Sequence, residues 1–154
     1  MPGRRYIARE CLVSAVINGV MSSVAFVIVF GLNPAVRAVP IDQFAADFAV
    51  QGAAVGLAAT IIPGLLARRV AQQDKTEGHL FGSLPAFALL PRALGVAALA
   101  AGVSVALWWS ALIALAVAAV PLAVGIAIKA AYGAALAVCC TWSILEAGRR
   151  LPGL

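Results

Sequence analysis

Lys129 lies deep in an apolar run, between Gly125-Ile126-Ala127-Ile128 and Ala130-Ala131-Tyr132-Gly133. On a helix, Lys129, Tyr132, Leu136, Cys139 or Cys140, Ser143 and Glu146 follow one another at steps of three and four. That spacing gathers nearly every polar group of residues 121–147 onto one stripe. A charge inside a bilayer is costly and is expected to face a partner or a water-filled cavity. Asp47 and Gln51, one helical turn apart in another apolar run, offer partners at a matching depth. A Lys129–Asp47 contact with Gln51 and Tyr132 beside it is therefore expected. It would serve either as an ion pair that fixes packing or as a substrate or proton site.

A second polar series, Glu10, Ser14, Asn18 and Ser22, recurs every fourth residue near the start of the chain. Glu10 and Glu146 sit beside Arg9 and Arg149, and surface ion pairing is the plain account of both. If the two stripes face each other, a polar track would join Lys129 to Glu10 and Glu146, the layout of a proton or small-solute pathway. Asn18 is the member of the first series expected to join the binding cluster.

Other reactive types carry less. His79 has no second His or Cys at ligand spacing, so no metal site is expected. Cys11, Cys139 and Cys140 read as small polarizable packing residues rather than as a disulfide. The sequence contains no nucleophile elbow, P-loop, dinucleotide fingerprint or Cys-x-x-Cys. No enzyme activity and no cofactor are expected.

The elements that must position these residues follow from composition. At 154 residues, 64% apolar, 11% charged and mean hydropathy +1.03, the chain carries more apolar surface than a soluble fold of this size can hide. The formal charge of +5 sits at the ends of apolar runs rather than on an aromatic face, which excludes nucleic acid and marks topogenic charge. The expected fold is an all-α integral membrane protein, a single domain of four antiparallel transmembrane helices at about 8–30, 44–67, 93–116 and 121–147. The first span is too long for a cleaved signal peptide. Asp42 after Pro40 is a helix start. Residues 68–92 form the central loop, in which 80–91, with Phe81 and Phe87, reads as an interfacial segment and Arg92 opens the third span. Only residues 117–120 separate the last two spans, which predicts a tight hairpin between them.

If four spans alternate, Arg4, Arg5, Arg9, Arg68, Arg69, Lys75, Arg92, Arg149 and Arg150 share one side and only Arg37 takes the other. That bias places both termini in the cytoplasm. No internal repeat joining the two halves is evident. The run from Ile17-Asn18-Gly19 to Phe30-Gly31, with Ala46-Asp47-Phe48 to Pro63-Gly64-Leu65-Leu66-Ala67-Arg68-Arg69, resembles a pattern in small, uncharacterised bacterial membrane proteins. The resemblance covers the first half of the chain. It implies a bacterial inner-membrane setting and no activity.

Gly52, Gly56, Thr60 and Gly64 form a small-residue ridge that lets another helix approach closely, from this chain or a partner. Gly95, Ala98 and Gly102 repeat the pattern in the third span. Trp108-Trp109 reads as interfacial anchoring or a stacking platform for a ligand. The function expected first is a small transport or channel module acting as a homo-oligomer. The alternatives are an accessory subunit docked on a membrane protein partner through the ridge, and a lipid-binding protein gripping lipid with Trp108, Trp109 and the Phe81–Phe87 segment.

Overall fold

The computed structural model describes residues 2–31, 38–73 and 86–150. Its elements are α1 (Pro2–Phe26), which continues as a π-helical turn over Val27–Gly31, then β1 (Ala38–Pro40) and α2 (Ile41–Gln73). After these come α3 (Ala86–Ala114), β2 (Ala119–Pro121) and α4 (Leu122–Arg150). All four α-helices are long and apolar enough to cross a membrane, over Arg4–Gly31, Asp42–Leu66, Leu89–Ala114 and Leu122–Ala147. In hydrocarbon no water satisfies backbone groups, so continuous helices are the outcome that such runs dictate. The chain is an all-α, four-helix, multi-pass membrane protein.

The third helix differs from expectation. It starts at Ala86 and runs through Pro91, so residues 86–91 belong to α3 and Arg92 lies inside it rather than at its start. Pro91 is the sixth residue of the helix, just past the first turn, where it removes one backbone hydrogen bond. Residues 80–85 of the expected interfacial segment, Arg37, Lys75 and His79 lie outside the described residues.

The packing order is α1–α4–α2–α3. Extensive contact joins α1 to α4, α2 to α3 and α2 to α4, while α1 and α2 barely touch. The expected hairpin of the last two spans is therefore absent: α3 and α4 are joined by a short turn yet lie mostly apart. The turn explains how. Val117 donates to the Leu112 carbonyl and Ala116 to that of Ile113, at 3.1 and 3.0 Å, with Ala116 at φ 51°. This is a Schellman cap, which ends α3 and turns the chain aside. β2 then pairs antiparallel with β1, Val39 opposite Val120, so that the α1–α2 and α3–α4 connections are clasped together at one end of the bundle. The start of α1 and the end of α4 lie at the other end.

Between helices in lipid the drive is close packing and hydrogen bonding rather than hydrophobic transfer, and glycine provides the room. A Cβ on Gly52 would sit 2.6 Å from Ser104 Oγ, one on Gly56 2.8 Å from Ala97 Cα, and one on Gly64 2.9 Å from Leu89 Cδ1. The ridge of α2, with Thr60 buried in it, is thus filled by α3 of the same chain. The counterpart expected on α3 faces the other way. A Cβ on Gly95 or Gly102 would meet nothing within 4 Å, and the face of α3 against α2 is instead Ala93, Ala97, Ala100 and Ser104.

Candidate functional site: a polar cluster beside a lateral groove

Lys129 is brought by α4 against α2, and its side chain is only 2% exposed. Its Nζ lies 2.6 Å from Asp47 Oδ2. The approach is that of an ion pair rather than along a hydrogen-bond direction, so the contact is electrostatic. Nζ also stands 3.9 Å from the centre of the Phe48 ring and 6.0 Å from that of Phe26, so aromatic faces cover the cation. Asp47 is less enclosed, with a side chain 20% exposed.

Gln51, one turn along α2, ties three helices together. Its Nε2 donates to Ser22 Oγ on α1 at 2.7 Å and to the Lys129 carbonyl on α4 at 3.0 Å. Gly133 makes this possible, since a Cβ there would collide with Ser22 Oγ and with Gln51 Nε2. Gln51 Oε1 is buried and accepts no hydrogen bond from the protein's described residues.

Of the residues expected to converge, Lys129, Asp47 and Gln51 do so. Tyr132 is adjacent but bonded elsewhere: its hydroxyl shares a 2.8 Å hydrogen bond with Ser104 on α3, and its ring meets Phe48 and Trp108 edge-on. Asn18 does not reach the cluster. Its Nδ2 donates to the Ser14 carbonyl, 2.8 Å away on its own helix. The expected stripe on α4 also breaks up: Cys140 rather than Cys139 is buried, and Ser143 is exposed. The buried face is Gly125, Lys129, Gly133, Ala137 and Thr141, at steps of four. The repeated small residues were the signal that could have found it.

Trp108 corrects a further expectation. It is neither an interfacial anchor nor an open platform, since it stacks on Phe48 at 4.6 Å and meets Phe44 at 6.2 Å, whereas Trp109 faces outward. Phe26, Phe44, Phe48, Val39, Leu112 and Val120 form a closed apolar core between this cluster and the β clasp. Sequence reasoning gave Phe26, Phe48 and Ser104 no role, because apolar and hydroxyl residues in a span carry no directional signal of their own.

Where α1 and α2 part, a groove of about 430 Å³ opens sideways. Its walls are apolar, with Ile17, Met21, Val50 and Ile62 all exposed. A row of polar residues follows it: Glu10, Ser14, Asn18 and Ser22 from α1, then Gln51 and Asp47 from α2, with Lys129 behind them. The series on α1 thus faces this groove, and it meets α4 where Ser22 lies against Gly133 and where Thr141 Oγ1 donates to Ser14 Oγ at 2.9 Å. Thr141 also approaches the Ala59 carbonyl at 3.4 Å. That carbonyl has lost its helical donor to Pro63, so a hydroxyl from α4 covers a backbone gap in the groove wall.

Comparisons with protein-family models, curated proteins and solved structures found no match. The site is therefore read from its own geometry.

Proposed function

We propose that this is a non-catalytic, ligand-binding protein of the bacterial inner membrane, with both termini in the cytoplasm, and that it holds an amphiphile in the α1–α2 groove. The observation that carries this reading is the groove itself. It has exposed apolar walls open to lipid, a row of polar groups along its length and the unsatisfied acceptor Gln51 Oε1 beside it. Alkyl surface suits the walls, and a polar head suits the Gln51–Asp47 level. The lipid-binding alternative thus moves from the tryptophans and the Phe81–Phe87 segment to this groove. The test is native mass spectrometry of protein extracted in mild detergent. An adduct of lipid mass is expected on the wild type and lost in Ala54→Phe, which fills the groove from an exposed position on its wall. A wild-type protein free of adduct would end this reading.

The polar row supports a second reading, a proton or small-solute pathway closed by a second copy of the chain. Lys129 is too enclosed to be a stop on such a pathway, and Asp47 is the less enclosed group beside it. Proton flux into vesicles containing the protein should then fall when Asn18 is replaced by leucine, and unchanged flux would exclude the pathway. The accessory-subunit reading has lost the surface it relied on, since α3 fills the Gly52–Gly64 ridge.

A further inference from the structure

The two halves of the chain share a strand, a register and a spacing of buried positions. β1 and β2 are the same tripeptide, Ala-Val-Pro, paired so that Ala38 meets Pro121, Val39 meets Val120 and Pro40 meets Ala119. Two identical antiparallel strands in this register have a two-fold axis between their central valines. A helix follows each strand directly. Aligned from their first residues, Ile41 and Leu122, α2 and α4 bury the same positions: Phe44 with Gly125, Phe48 with Lys129, Gly52 with Gly133, Gly56 with Ala137, Thr60 with Thr141. Aligned at Ser22 and Ser104, α1 and α3 also agree at Ile7 with Leu89 and Cys11 with Ala93, and the half-buried Trp108 takes the place of Phe26.

The contacts obey the same operation. α1 packs on α4 as α3 packs on α2, and α2 meets α4 at the axis. Gly133 makes room for Ser22 as Gly52 does for Ser104. Gln51 bonds Ser22, and its counterpart Tyr132 bonds Ser104. The repeat escapes notice in the sequence because what it preserves is burial and contact, while most side chains differ.

We infer that the chain is a tandem pair of two-helix units related by a two-fold axis along the membrane normal, and that only the groove of the first unit has become a binding site, for an amphiphile whose head donates hydrogen bonds. The symmetry separates framework from function. Positions alike in both units, such as the Ala-Val-Pro strands, Ser22 and Ser104, Gly52 and Gly133, or Thr60 and Thr141, hold the bundle together. Positions polar in the first groove and apolar in its counterpart are Ser14 against Val96, Asn18 against Ala100, Asp47 against Ile128, and Lys129 against Phe48. Every one of them lines the α1–α2 groove.

The head chemistry follows from what the groove leaves unmatched. Gln51 is 8% exposed, lines the groove and carries the unpartnered acceptor Oε1. Asp47 presents a half-buried carboxylate at the same level. Lys129, the one cation among the described groove residues, has its charge balanced by Asp47 and is covered by rings, although its buried Nζ makes no hydrogen bond to the described residues. A carboxylate or phosphate head would add negative charge beside Asp47 and could not donate to Gln51 Oε1, whereas a hydroxyl head both donates and accepts.

This inference rests on the amphiphile reading, and the experiment separates the two. Full-length protein in zwitterionic detergent is irradiated with a diazirine-bearing monoacylglycerol or with the fatty acid of the same chain, and labelled peptides are mapped by mass spectrometry. Labelling of α1 and α2 by the monoacylglycerol is expected, roughly fivefold or more above the fatty acid, as one hydrogen bond would give. Gln51→Leu should erase that preference. Val50→Trp, on the exposed wall, should erase labelling altogether without touching the polar cluster. Equal or stronger labelling by the fatty acid, or equal labelling of the α3–α4 side, overturns the inference and leaves the groove as a lipid site. No labelling of α1 and α2 by either probe removes the amphiphile reading as well. A dimer in native spectra that Val50→Trp dissociates would make a second copy the occupant and overturn both.

Discussion

Lys129 Nζ stands 3.9 Å from the centre of the Phe48 ring, and the residue before that phenylalanine, Asp47, supplies the carboxylate 2.6 Å from the same nitrogen. Two consecutive residues of α2 therefore answer one charge on α4, the first by ion pairing and the second by an aromatic face. Breaking a buried ion pair from one side is costly because the other charge stays behind; replacing both is far milder. Asp47→Leu, which strands an enclosed cation, should destabilise the bundle by about 3–5 kcal/mol. Lys129→Met should cost less, since the carboxylate it strands borders the groove. The double variant should recover most of the loss. Reversible unfolding in mixed micelles gives the cycle, and strictly additive losses would show that the pair is not coupled.

Glycine on α2 and glycine on α3 should respond in opposite ways. Gly56→Leu forces a side chain onto Ala97 and should cost about 1–3 kcal/mol or more, as overpacking does. Gly102→Leu points where nothing lies within 4 Å and should leave monomer stability unchanged. Thermal stability of the two variants in detergent decides the matter, and equal losses would contradict the packing order.

Ala116 holds the left-handed position of the cap that ends α3, which costs an alanine about 1–2 kcal/mol relative to the right-handed helix region. Ala116→Gly removes that strain and should raise stability by about 1 kcal/mol, offset in part by the greater freedom of the unfolded chain. A lowered melting temperature would argue against the cap.

Val39 and Val120 pair directly across the clasp and are both buried. Cysteines at these two positions should cross-link within the monomer under mild oxidant, given the Cβ separations of directly opposed residues. Mobility on non-reducing gels, with Cys11, Cys139 and Cys140 replaced by alanine, reads the outcome. Cross-linked dimers in place of a cross-linked monomer would place the clasp between chains.

The proposed topology, drawn from the skew of basic residues, has both termini in the cytoplasm. A fluorescent reporter fused after Leu154 should therefore glow, and a phosphatase that works only outside the cytoplasm should stay silent at the same site. The reverse pattern would invert the topology.

Much of this architecture was legible before any coordinates. The four spans are long apolar runs whose lengths match a bilayer, and Lys129, Asp47 and Gln51 meet because an isolated charge at a given depth needs a partner at that depth. Neighbour relations were not legible. The short connection suggested that α3 and α4 pack together, but the Ala116 cap and the β clasp carry α4 across to α1 and α2. The direction of Trp108 was equally hidden, since an indole near a span end suits a lipid interface as well as a core of Phe44, Phe48 and Tyr132. The groove is a property of two helices that fail to touch, and no residue on either one announces that.

The order α1–α4–α2–α3 divides the molecule into two planks, α1 with α4 and α2 with α3, each built from one helix of either half and the two meeting along the α2–α4 line. The clasp lies across that line at one end, like a pin through a keel. A roll of one plank against the other that widens the gap between α1 and α2 must narrow the gap between α3 and α4. The two sides of the bundle are thus two arms of a single balance, and anything that widened the first would be felt at the second.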